Sequence, residues 1–193
     1  MSTARQIQDH YLTEAAYLEG EKTAVERHEY VDGQTYLMAG ASKRHNRIAR
    51  NFINRMEDAA NRKGCEVFFS DVKVRVAKYK TYYYPDVVVS CSADDEADEY
   101  YLEKPCLIVE VASDSTIRKD YMEKSLVYQS IAALQAYLVV AQDRVQVDML
   151  VRLEDGSWGL KKFDRLDDEI ELPCLGIVLS VEAVYAGVAV LGE

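Results

Sequence analysis

Apolar positions recur along this chain with two different periods, and the alternation between them divides it into elements. Residues 27–37 read as two short strands around Asp32-Gly33, a favoured pair for a two-residue hairpin turn. Residues 38–42 form a small-residue loop that ends on Ser42, a natural helix N-cap. From 43 to 63 the residues Ile48, Ala49, Phe52, Ile53, Met56 and Ala59 keep helical spacing, and Gly64 supplies the stop. The opposite face of that helix carries Arg44, Arg47, Arg50, Arg55 and Arg62. Three strand patterns follow. Residues 71–77 alternate, with Val72, Val74 and Val76 on one face, as in a half-buried strand. Residues 84–91 and 106–112 are almost continuously apolar, as in central strands covered on both faces. The acidic, polar stretch 92–104 between them reads as an exposed loop. A helix is predicted over 116–133 and a buried strand over 136–141. Strands over 144–152, 158–163 and 170–172, with a turn at Asp155-Gly156, and a short helix over 181–186 complete the chain. The order is hairpin, helix, three strands, helix, strand and extra strands, which specifies a mixed α/β (α+β) fold.

Composition narrows this picture. At 193 residues, 49% hydrophobic and 29% charged, the chain reads as one soluble globular domain over 1–193, large enough for a core that needs no staples. The first twelve residues are polar and lack an apolar signal core, and no apolar run reaches membrane-spanning length. The expected location is the cytoplasm, with no membrane partner. The cysteines Cys65, Cys91, Cys106 and Cys174 are isolated in sequence and form no CxxC pair. They read as small buried hydrophobes in a reducing compartment rather than as a zinc site. The net charge of −10 excludes a broadly basic nucleic-acid-binding face, although carboxylates gathered at a metal site would contribute to the same sum.

The candidate chemistry begins with a carboxylate where none is expected. Glu110 interrupts Leu107-Ile108-Val109-Glu110-Val111-Ala112, and a buried carboxylate there requires a partner, a metal or a raised pKa. The bland alternative is an edge strand with Glu110 in water. Asp86 opens Asp86-Val87-Val88-Val89 directly after Pro85. By itself it is a turn residue. One strand before Glu110, it becomes half of a carboxylate pair that a cation such as magnesium would bridge. Lys124 falls inside the helical stripe Ile117, Tyr121, Tyr128 and Ile131, so it should point toward the sheet. Its alternative is a surface ion pair with Asp120. Glu29 is an ordinary hairpin residue unless the fold brings it to the others. His45 lies on the apolar side of its helix, near the N-terminus, and is a candidate accessory residue. There is no Gly-rich phosphate loop, GxSxG elbow or HExxH.

These fragments, in order and spacing, resemble the Uma-type family of restriction-endonuclease-like proteins, of the PD-(D/E)xK nuclease superfamily. The residues that carry the resemblance are His28-Glu29-Tyr30-Val31-Asp32-Gly33; Met38-Ala39-Gly40-Ala41-Ser42 followed by His45-Asn46; Tyr84-Pro85-Asp86-Val87-Val88-Val89; Ile108-Val109-Glu110-Val111-Ala112-Ser113; and Asp120-Tyr121-Met122-Glu123-Lys124. The resemblance implies an α-β-β-β-α-β core with an N-terminal hairpin and extra C-terminal strands. It matches Pro85-Asp86 to the PD half and Glu110 to the acidic position of the other half. Ala112 stands where the superfamily has its lysine, and the resemblance implies that Lys124 replaces it, with Glu29 as the preceding acidic residue. The implied activity is magnesium-dependent hydrolysis of DNA, with manganese as a substitute. Asp86, Glu110 and the Val111 carbonyl would hold the metal, Arg44, Arg47 and Arg50 would steer DNA, and a homodimer would present two sites. Two readings compete with it: a non-catalytic nucleic-acid-binding or regulatory module that keeps the fold, and a structural protein in which Glu110 and Lys124 form only an internal ion pair.

Overall fold

The computed structural model describes residues 11–113 and 120–189. A short helix α1 (Glu14–Glu21) is capped by the Thr13 hydroxyl, and the hairpin β1 (His28–Val31) and β2 (Gln34–Leu37) follows it. The hairpin turn takes positive φ at both central residues, 39° at Asp32 and 93° at Gly33, as a type I′ turn requires. Helix α2 (Lys43–Lys63) begins where the Ser42 hydroxyl accepts the His45 amide and ends at Gly64 in the left-handed region. Both ends agree with the sequence reading.

Six strands then form the main sheet. They are β3 (Glu66–Phe69), β6 (Val87–Ser90), β8 (Pro105–Ala112), β9 (Ala136–Ala141), β10 (Val147–Arg152) and β11 (Trp158–Phe163), in the order β11-β10-β9-β8-β6-β3. The β8–β9 pair is parallel and the others are antiparallel. Strands β4 (Lys73–Val76), β5 (Thr81–Tyr83) and β7 (Tyr101–Leu102) join the hairpin in a second sheet, ordered β2-β1-β5-β4-β7. A small hairpin, β12 (Glu169–Leu172) and β13 (Ile177–Ser180), precedes the closing helical turn Val181–Val184.

Two expectations need correction. The strand expected over 71–77 does not belong to the main sheet. Its place next to α2 is taken by β3, a strand that the periodicity did not reveal. Between them Ser70 adopts φ of 50° and the chain turns sharply, which sends β4 to the second sheet. Of the helix expected over 116–133, the described residues form a π turn (Asp120–Lys124) followed by α3 (Ser125–Tyr128), which ends before 133; residues 114–119, Ile117 among them, lie outside the described residues. The loop 92–104 is largely exposed, as expected, but it also contains β7 and the buried Asp95, which accepts the backbone amides of Glu103 and Lys104.

Each face of the main sheet has its own core. Ile48, Phe52 and Met56 of α2, each fully buried, lie against Val87, Val89, Leu107 and Val109. On the other face Val88, Ile108 and Val139 meet Val74, Val76 and Tyr83 from the second sheet and Tyr128 from α3. A third cluster of Tyr17, Tyr30 and Tyr82 fixes α1 to the hairpin. The Tyr17 hydroxyl donates to the His28 carbonyl at 2.6 Å and that of Tyr30 to the Leu12 carbonyl at 2.8 Å. Among the described residues no helix is long and apolar enough to cross a membrane.

Two predictions follow from this packing. Phe52→Ala removes a fully buried ring from the interface of α2 with the sheet, and should lower unfolding free energy by about 3–5 kcal/mol in denaturant titrations. Asp148 is buried in β10. One of its oxygens accepts from Gln146 and the other has no hydrogen-bond partner among the described residues. Burial raises its pKa above 3.8, against the opposing pull of Lys162. A carboxyl raised in the folded state favours folding while protonated, and that contribution is lost as pH rises through the folded value. Asp148→Asn should therefore have the higher thermal midpoint near neutral pH, and the difference should vanish below the ordinary aspartate pKa.

Candidate active site

Strand β8 is buried at every position, so Glu110 is an interior carboxylate and not an edge residue facing water. Its alternation places it on the face of Ile108 and Ala112, toward the second sheet. Lys124 ends the π turn, whose wider winding re-aims side chains relative to an ordinary helix. Its stem is buried as the stripe predicted. Its ammonium lies 2.9 Å from a Glu110 oxygen and 2.8 Å from a Glu29 oxygen, and all three side chains are no more than 7% exposed. Asp120, its alternative partner, has a side chain outside the described set.

Glu29 arrives from the second sheet. In β1 both Glu29 and Tyr30 are buried, on opposite faces. Tyr30 turns toward α1, so Glu29 turns toward Lys124. The pairing of Tyr30 with Tyr82 puts Tyr83 on the next rung beside Glu29, and the Lys124 ammonium lies 5.3 Å from the Tyr83 ring centroid. Tyr128, four residues after Lys124, donates its hydroxyl to the same Glu110 oxygen at 3.2 Å. Complete burial, reinforced by the Glu110 charge, pushes the Tyr128 pKa well above its ordinary value. It therefore stays a donor. Sequence reasoning placed Tyr128 in the stripe but gave it no role; its i, i+4 spacing from Lys124 was the available signal.

Asp86 stands one residue before β6. Because Val87 pairs with Val109, the next rung sets Asp86 against Glu110. One Asp86 oxygen accepts the Val111 amide at 2.7 Å and contacts His45 Nε2 at 3.0 Å. His45 reaches it from the first turn of α2, where Ser42 caps the helix and also donates to Gln142 just beyond β9. His45 Nδ1 and the Tyr121 hydroxyl are buried without a hydrogen-bond partner among the described residues. Of the arginines, Arg50 is exposed, Arg44 is half-buried and Arg47 donates to the Gly187 carbonyl in the C-terminal turn.

Glu29 and Glu110 share the Lys124 ammonium, and the carboxylate of Asp86, on the rung beside Glu110, is held by His45 and the Val111 amide. Asp86 and Glu110 offer hard oxygen donors on adjacent strands, with Val111 next in the chain, and such a set suits magnesium, which is commonly held through one or two carboxylates with the rest of its shell open. Among the described residues no three His, Asp or Glu ligand atoms lie within 4.8 Å of one another.

Lys124→Ala would leave Glu29 and Glu110 buried without the cation they share. It should cost about 3–5 kcal/mol near neutral pH, measured by denaturant unfolding. Part of that loss should return as pH falls through the carboxylate range, where protonation relieves the two acids. A pH-independent loss would contradict the shared-cation geometry.

Comparison with known proteins bears on the family and the fold. Residues 14–182 match the Uma2 family model, described as "Putative restriction endonuclease". Two curated relatives come from Synechocystis sp. (strain ATCC 27184 / PCC 6803 / Kazusa). The uncharacterized protein slr1290 is 34% identical over 182 residues, covering 92% of this chain and 93% of its own. The uncharacterized protein sll1609 is 32% identical over 168 residues, covering 86% and 95%. A solved structure from Anabaena variabilis ATCC 29413, described as a putative nuclease belonging to DUF820, superposes with a TM-score of 0.70 at 13% identity. That match covers 92% of this chain and 99% of the other, and shows a common fold. With a restriction-endonuclease-like fold and a family match across most of its length, the chain belongs to the Uma2 family of putative restriction endonucleases.

Proposed function

We propose that this chain is a metal-dependent endonuclease that hydrolyses phosphodiester bonds of DNA. The observation that carries the reading is the meeting of Glu29, Glu110 and Lys124 from three separate elements, with Asp86 on the rung beside Glu110. A magnesium or manganese ion held by Asp86, Glu110 and the Val111 carbonyl would lower the pKa of a bound water and neutralise charge on the phosphate. Lys124 would orient the attacking water and offset negative charge developing at the phosphorus. Glu29 holds the ammonium in place from the opposite side, and the Tyr128 hydroxyl fixes the Glu110 carboxylate. His45 and the Val111 amide hold Asp86 in one orientation. Arg50 and Arg44, at the same end of α2 as His45, attract the nucleic-acid backbone, with Arg47 bracing the C-terminal turn. Two copies of the chain would supply the two sites that double-strand cleavage needs.

One observation favours a second reading. Ala112 is buried where the superfamily lysine stands, and the single ammonium that replaces it is already shared by two carboxylates. This is also the geometry of a fold retained for nucleic-acid binding without cleavage.

Supercoiled plasmid incubated with the protein and magnesium or manganese separates the two. The expected result is metal-dependent nicking that Asp86→Ala lowers by more than about a hundredfold, beyond the cost of losing an outer-shell partner. Nicking that persists in Asp86→Ala would remove Asp86 from the site, and plasmid retention without nicking would favour the binding module.

A further inference from the structure

The two strands that carry Asp86 and Glu110 have a second cluster at their opposite ends. Cys91 follows β6 directly, and Cys106 is the second residue of β8. Measured along β6, Cys91 lies roughly 16 Å from Asp86, five residues at about 3.3 Å each. Cys65 follows the Gly64 cap of α2, and the pairing of Glu66 with Ser90 sets Cys65 across from Cys91, with Cα atoms 4.0 Å apart. Cys106 falls at the irregularity where the register moves from Val89–Leu107 to Ser90–Pro105, and such a bulge re-aims a side chain. Cys174 comes from the turn after β12, with its Cα 5.8 Å from that of Cys106.

Cys91, Cys106 and Cys174 therefore bring their sulfurs within 4.8 Å of one another, with Cys65 alongside through Cys91, a correction to the reading of the four as separate buried hydrophobes. The structure bridges Cys65 to Cys91 and Cys106 to Cys174. The two bridges touch: Cys91 Sγ lies 3.6 Å from Cys106 Sγ and 3.7 Å from Cys174 Sγ. Those separations match the edge of a zinc tetrathiolate, about 3.8 Å for tetrahedral Zn–S bonds of about 2.3 Å. A multi-iron cluster would hold its cysteines farther apart, so the spacing suits a single ion. Cys91 is exposed and, with Cys65, lines a surface cleft of about 370 Å³, which gives an ion a route in. Lys63 donates to the Cys174 carbonyl at 3.4 Å and places a positive charge beside the excess negative charge of four thiolates.

We propose that, once its thiols are reduced, this cluster is a binding site for one zinc ion held by Cys65, Cys91, Cys106 and Cys174. Reduction by a phosphine is balanced: each disulfide takes two electrons and two protons, and the phosphine leaves as its oxide with an oxygen from water. Zinc then displaces the thiol protons to solvent. The absence of a CxxC pair does not count against the site. Its four ligands come from a helix terminus, two strand ends and a turn, which no local spacing records.

The test uses the full chain, reduced with a phosphine, freed of metal and kept anaerobic. Cobalt(II) is titrated as a spectroscopic probe and zinc is then added. The expected result is a tetrahedral cobalt spectrum with sulfur-to-metal charge transfer that saturates at one equivalent, is displaced by zinc, and is unchanged in Asp86→Ala. Zinc should also protect the thiols from a disulfide reagent and raise the thermal midpoint, because it binds the folded state. Cys91→Ser, an exposed position where folding can be checked by circular dichroism, should weaken cobalt binding at least tenfold. An octahedral spectrum without charge transfer, saturation well below one equivalent, thiols equally reactive with and without zinc, or a folded Cys91→Ser that binds as the parent does would each overturn the proposal.

Discussion

The ammonium of Lys124 lies between two buried carboxylates that belong to different sheets, Glu29 on β1 and Glu110 on β8. Charges removed from water are costly unless they are paired and hydrogen-bonded, and this constraint ties the two sheets to the segment after β8. The surrounding rings fit the same requirement. Tyr83 packs edge-on against Tyr128, and Tyr128 packs against Tyr137, which encloses the ion pair on the side of the second core. The Tyr128 hydroxyl, kept protonated by burial, donates to Glu110. The polar site is thus built into the wall of an apolar core, and its geometry depends on that core being well packed.

The remaining elements position this centre. Helix α1 contributes no ligand, but its contacts with Tyr30 and Tyr82 orient β1 so that Glu29 faces inward; the Tyr82 hydroxyl donates to Glu14 at 2.9 Å. Helix α2 buries one face against the sheet, and its capped first turn brings His45 to Asp86. Both central strands serve two purposes. At one end they present Asp86 and Glu110; at the other, Cys91 and Cys106. Constraint at the sulfur end therefore acts on the same strands whose register sets the carboxylate pair.

Much of this was legible in local pattern. The cap residues Ser42 and Gly64, the Asp32-Gly33 turn, the strand over 136–141 and the burial of β6 and β8 follow from periodicity and turn chemistry, which act over a few residues. Glu110 could be singled out because a carboxylate within an apolar run is expensive wherever the run folds. Lys124 could be assigned an inward direction because it stands four residues before the buried Tyr128, one helical turn away on the same face.

Other features depend on contacts between residues far apart in sequence, and no local period encodes those. Strands β3 and β4 have the same length and similar apolar content, and the turn at Ser70 together with the available pairing partners decided which one joined the main sheet. Glu29 is an unremarkable hairpin residue until β1 pairs with β5 and turns it toward Lys124. The four cysteines look unrelated along the chain and converge only when strand register, a bulge and the turn after β12 combine. Local pattern was enough to mark the hairpin, α2, the central strands and the buried charges that would need partners, because propensity and burial cost are local. The tertiary structure alone decided who those partners are, because pairing requires closing long loops and only the complete packing fixes which closures occur together.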